Sequence, residues 1–107
     1  MVSNMKQDKT IRILFVASEA DPFVKVGGLG DVAGSLPRYL RSLLPEDIQG
    51  YTLDIRLVIP FHAAIRHKIG SPLPVAAFSV PHPAGNIPAQ AYLTQIDHVP
   101  VYLLDGA

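Results

Sequence analysis

IRILFVASEADPFVKVGGLGDVAGSLPRYLRSLL, residues 11–44, runs from an apolar strand through a glycine-rich loop into a helix with leucine spacing. Ile13-Leu14-Phe15-Val16-Ala17 is continuously apolar and does not alternate. Such a run fits a strand of residues 11–18 covered on both faces, as in a parallel sheet. Pro22 disfavours helix at Asp21, and Gly27-Gly28 permits backbone angles closed to other residues, so residues 19–30 read as a loop. Leu29, Val32, Ala33, Leu36, Leu40, Leu43 and Leu44 then recur at helical spacing and mark one apolar face. Pro37 falls inside that pattern and predicts a kink or a split. Residues 53–59, LDIRLVI, form a second strand stopped by Pro60. Strand, loop, helix and strand in this order make a βαβ unit.

Working outward, FHAAIRHKI (61–69) reads as a short helix. PVAAFSV (74–80), AQAYLTQI (89–96) and VPVYLL (99–104) read as three strands, with PHPAGNIP (81–88) as a loop. Asp97-His98 is a tight-hairpin candidate, though not of the favoured Asn-Gly type. Residues 1–10 are polar and aperiodic, and read as a disordered lead-in without a secretory core.

Composition narrows the function classes. In 107 residues, 49% are hydrophobic and 17% charged, which excludes a charge-rich disordered chain. Nine Lys+Arg balance nine Asp+Glu, so no global positive field exists to hold nucleic acid. There is no cysteine, which removes disulfides, thiolate metal sites and cysteine nucleophiles. No apolar run approaches the roughly 20 residues that span a bilayer.

Chemistry concentrates at Lys25-Val26-Gly27-Gly28-Leu29-Gly30-Asp31-Val32. The stretch lies between a buried strand and a helix, where ligands of open α/β sheets bind. A helix N-terminus offers unpaired N–H groups to a phosphate, glycines allow close backbone approach, and Lys25 adds a mobile positive charge. It is not a Walker A loop, because no Lys-Ser/Thr pair closes it. The spacing Gly28-x-Gly30-x-x-x-Gly34 also misses the dinucleotide fingerprint. Two readings stand at this point: a phosphate cradle, or glycines that only turn the chain. Asp31 likewise reads either as a site residue or as a plain helix-cap anion.

Residues 13–20 (ILFVASEA), Pro22 and KVGGLGDVAGSLP (25–37) resemble the N-terminus of bacterial glycogen synthases and plant starch synthases. DIRLVIP (54–60) and AYLTQIDHVPVYLLD (91–105) are similar to later pieces of that family, in the same order. The resemblance implies an α/β chain, an incomplete Rossmann-like N-terminal domain of a two-domain GT-B glycosyltransferase spanning residues 11–107. It implies retaining transfer of glucose from ADP-glucose to the non-reducing end of an α-1,4-glucan, in the cytoplasm, with no metal and no further cofactor. Nucleic acid and membranes are not expected partners. By motif, Lys25 and Gly28 correspond to the lysine and glycine that meet the sugar nucleotide. Asp31 corresponds to the aspartate near the glucosyl group and is the candidate catalytic residue. Glu19 and Gly27 match loop-shaping positions, Gly27 within the donor-binding set. Val26 stands where the family usually has threonine; this removes a hydroxyl and keeps the β-branched shape.

Other constellations are weak. His62, His67, His82 and His98 have no metal-ligand spacing, Ser18 and Ser35 lack a G-x-S-x-G context, and Arg38 and Arg41 read as a solvated helix face. The chain has no tryptophan, so the family's Ala-His-Asp-Trp-type segment with its catalytic histidine has no counterpart here. The family's C-terminal domain has none either. The expectation is a fragment that does not transfer glucose by itself. Two alternatives remain: another sugar-nucleotide-dependent GT-B transferase, or a non-catalytic nucleotide-sugar-binding module.

Overall fold

The computed structural model describes residues 9–23, 25, 27–69 and 71–106. Most of the expected lead-in therefore lies outside the described residues, but Thr10 already pairs in the first strand. That strand, β1 (Thr10–Val16), is followed by helix α1 (Gly28–Arg41), a 3-10 turn at Pro45–Ile48 and strand β2 (Thr52–Pro60). Helix α2 (Ala63–Ile69) and strands β3 (Leu73–Val80), β4 (Ile87–Ile96) and β5 (Val99–Gly106) complete the order.

The strands form one sheet in the order β1-β2-β5-β4-β3. β1, β2 and β5 run parallel; β5, β4 and β3 are antiparallel. The βαβ unit is present as read, and the later strands build the other half of the sheet. Asp97 and His98 make the two-residue β4–β5 turn, with φ of 49° and 68°. Positive φ at both central residues is what a type I′ hairpin requires, and Asp and His tolerate it better than most side chains. Ile96 and Val99 close the hairpin as paired neighbours.

The core lies on one face of the sheet. Leu57 and Ile59 of β2 and Val99, Val101 and Leu103 of β5 meet Ala33 of α1, Ile65 of α2, and Ala20 and Phe23 of the β1–α1 loop. Phe61 adds an edge-on contact with the Tyr92 ring at 5.3 Å between centroids. Three sequence expectations change here. β1 is an edge strand with one uncovered face: Leu14 is 58% and Val16 70% exposed, because they alternate with Phe15, which packs on the core from the opposite face. α1 is also turned from the leucine face. It buries Gly30, Ala33 and Pro37, while Leu29, Val32 and Leu36 are exposed. The packed side carries the small residues because Glu19, Lys25 and Asp21 of the β1–α1 loop already occupy the space beside Gly30 and Gly34. Finally, α1 runs through Pro37 as one helix and ends at Arg41, before Leu43 and Leu44. The Pro37 ring is fully buried, which offsets the missing backbone bond.

Of the arginines read as a solvated face, Arg38 is exposed, whereas Arg41 is half-buried and ties α1 to β2. Arg38 pairs with Asp97 at 2.8 Å, and Arg41 donates to the Ile55 carbonyl at 3.0 Å and reaches Asp54 at 3.5 Å. Asp54 also meets Arg56, whose hydrogen bond is the main cause holding its carboxyl below the usual carboxylate range.

Candidate functional site

The β1–α1 loop leaves the carboxyl end of β1, and its far end is the first turn of α1. The loop is fixed at several points. The Ala17 N–H donates to the Val58 carbonyl at 3.0 Å, continuing the sheet. Ala20 and Phe23 are buried in the core. The Asp21 N–H donates to the Gly30 carbonyl at 2.9 Å. Two side chains from the segment after β2 hold loop carbonyls: His62 Nε2 lies 2.9 Å from the Ser18 oxygen, and Lys68 Nζ donates to Pro22 at 3.1 Å and Phe23 at 2.8 Å.

Glu19 is the organising anion. Its Oε2 accepts the Gly27 N–H at 3.0 Å and the Gly30 N–H at 3.1 Å. Gly27 is the residue before the helix and supplies no side-chain cap, so the Glu19 carboxylate caps the helix from eight and eleven residues away. A carboxylate here satisfies orphan helix-start donors and sits favourably in the helix dipole. Asp31 stands in the first turn of α1, where its charge suits the helix dipole, while Glu19 takes these amides. The Asp31 carboxylate accepts instead from Lys25 Nζ at 2.9 Å, with both side chains about half exposed. That hydrogen bond first, and the attraction of the Asp31 charge second, push the Lys25 ammonium pKa up, so it stays charged through the working range.

The four glycines divide. A Cβ on Gly30 would lie 2.6 Å from Glu19 Oε2, and one on Gly34 would run into the Asp21 carbonyl oxygen. These two glycines are required by packing between helix and loop. Gly27 and Gly28 are different. A Cβ on either meets no described atom within 4 Å. Gly27 has φ −151° and ψ −160°, extended backbone that any residue adopts, and Gly28 is helical. Among the described residues, no contact and no positive φ calls for glycine at Gly27 or Gly28. Open space beside bare backbone at a helix start is what a closely approaching ligand needs.

Of the residues singled out in the sequence, Lys25 and Asp31 are in direct contact, and Gly27 and Gly28 stand at the start of the same helix. The Gly27 N–H is engaged by Glu19, so Gly27 serves to shape the loop. Val26 lies outside the described residues. Beside Asp31 is an open depression of ≈ 440 Å³, with Asp21, Ser35 and Arg38 among its lining residues. Sequence reasoning missed the clamps from His62 and Lys68 and the packing role of Gly34, because each partner is remote along the chain. Among the described residues, no three His, Cys, Asp or Glu side chains group as a metal site, and no helix is long and apolar enough to cross a membrane.

Comparison with known proteins gives a consistent result. The family model for the starch synthase catalytic domain matches residues 12–107. A glycogen synthase of Clostridium perfringens strain 13 is 38% identical over 103 residues, covering 95% of this chain and 20% of the relative. A glycogen synthase of Aeromonas hydrophila is 38% identical over 96 residues, covering 89% of this chain and 18% of the relative. The chain thus spans about a fifth of the length of these curated relatives. Among solved structures, the catalytic domain of starch synthase IV from Arabidopsis thaliana, bound to ADP and acarbose, superposes with a TM-score of 0.67. It is 17% identical, and the match covers 88% of this chain and 18% of that one, a likeness of fold.

Proposed function

This chain belongs to the starch synthase catalytic-domain family, and from that membership we propose that it supplies the donor-phosphate wall of an ADP-glucose-dependent glucan synthase. The reaction is retaining transfer of glucose to the non-reducing end of an α-1,4-glucan, and it uses no metal. The observation that carries this reading is Gly28 at the helix start, where a Cβ would meet no described atom within 4 Å, in the loop that brings the Asp31-paired Lys25 to the carboxyl end of the sheet.

The chemistry follows from the groups in place. Departure of ADP builds negative charge on the diphosphate. Lys25 gives one of its three N–H donors to Asp31, which leaves two for phosphate oxygens. Bare backbone at Gly28 lets the diphosphate come close to the helix start. Groups fixed before the reaction stabilise developing charge without reorganising, and one such donor is worth about 2.7–4 kcal/mol in the transition state. Glu19 holds the loop still so that this preorganisation persists. Asp31, with the depression beside it, presents acceptors for glucosyl hydroxyls.

The test is calorimetric titration of the chain with ADP, ADP-glucose, UDP-glucose and NAD. Saturable binding of ADP and ADP-glucose, weakened about tenfold in Lys25→Ala as loss of a charge-assisted contact predicts, is expected. NAD binding without any response to sugar nucleotides would overturn the reading. The chain incubated with ADP-glucose and glycogen is expected to give no incorporation above background, because one wall of a two-domain cleft cannot complete the active site.

A further inference from the structure

Lys68 stands on α2, outside the donor loop in sequence, yet its ammonium bonds two successive loop carbonyls. Those carbonyls, of Pro22 and Phe23, belong to a short arm held from three sides. Asp21 abuts Gly34 of α1 so closely that a Cβ there would strike its carbonyl. The Phe23 side chain is buried in the core with Ile65 of α2. Lys68 closes the remaining side by binding the backbone itself.

The arm's next described residues are Lys25 and Gly27, both on the ligand rim. A displaced arm therefore moves the ammonium and the helix start together. An ammonium with two carbonyl acceptors is also a stronger restraint than a neutral donor, because ionised donors make the shorter, stronger bonds. Arginine in its place would keep several donors, whereas methionine would keep the stem and lose all of them.

We infer that Lys68 is a positioning residue for the donor site, clamping the Pro22–Phe23 backbone so that Lys25 and Gly28 are presented together. This inference rests on the donor-phosphate reading only for its effect on binding, not for the clamp itself. The test uses the whole chain, ¹⁵N-labelled, as wild type, Lys68→Met and Lys68→Arg. Without ligand, the Gly27, Gly28 and Gly30 amide resonances are expected to shift or broaden in Lys68→Met and return towards wild-type positions in Lys68→Arg. The thermal midpoint should fall by no more than about 4–8 °C in Lys68→Met, as loss of one net hydrogen bond gives in a domain of this size. Unmoved glycine amides in Lys68→Met overturn the clamp. With ADP as the probe, affinity should fall about fivefold in Lys68→Met, the size of one net hydrogen bond, and recover in Lys68→Arg; equal affinities in wild type and Lys68→Met overturn the effect on the site. If the amides respond while wild type binds no ADP, the clamp stands and the donor reading fails.

Discussion

The rim and the underside of the same loop use the same residue for opposite reasons. On the underside, Gly30 and Gly34 are glycine because the Glu19 carboxylate and the Asp21 carbonyl already occupy the space a side chain would need. On the rim, Gly27 and Gly28 face open space. Sequence alone shows four glycines within eight residues and cannot sort them. The sorting matters: glycine forced by packing reports on the fold, whereas the described residues leave Gly27 and Gly28 unforced.

The sharpest way to break this comparison is Gly34→Ala. The obstructing atom is backbone and cannot swing away, so overpacking should outweigh the gain in helix propensity and destabilise the chain by about 1–3 kcal/mol. Thermal denaturation should show a fall of about 4–8 °C for each kcal/mol in a domain of this size; an unchanged midpoint would mean that helix and loop are not in contact. Gly28→Ala addresses the rim. Its midpoint should hold or rise slightly, while affinity for ADP drops at least about tenfold, or ~1.4 kcal/mol. Loss of stability together with unchanged binding would put Gly28 on the underside with the other pair. Glu19→Gln probes the link between the two regions. The amide oxygen still accepts, but the bonds lose their charge assistance, and a loss of about 1 kcal/mol is expected. Chemical denaturation measures that loss, and faster hydrogen exchange at the Gly27 and Gly30 amides should accompany it.

These contrasts also show how much of the molecule is legible in advance. The first strand, read as residues 11–18 and found at Thr10–Val16, the glycine loop, and the second strand, read as 53–59 and found at Thr52–Pro60, are legible because hydrophobic runs and breakers are local signals. The Asp97-His98 turn is legible for the same reason, since two short strands meet across it. The buried face of α1 is where the pattern misleads. Leu29, Val32 and Leu36 carry the stronger apolar pattern, but α1 buries Gly30 and Ala33, and Gly30 is pressed against Glu19 and Lys25 of the loop. Pro37 reads as a break and instead lies fully buried within α1.

By itself, then, the sequence determined the βαβ beginning, the hairpin across Asp97 and His98, and the clustering of Lys25, Gly27, Gly28 and Asp31 at a helix start. Each depends on neighbours a few residues apart. Only the tertiary structure decided which side of α1 meets the sheet, that Glu19 rather than Asp31 takes the helix-start amides, and that Lys68 holds the loop from 45 and 46 residues away. Such contacts depend on how separate elements come together in space, and spacing along the chain carries no record of that.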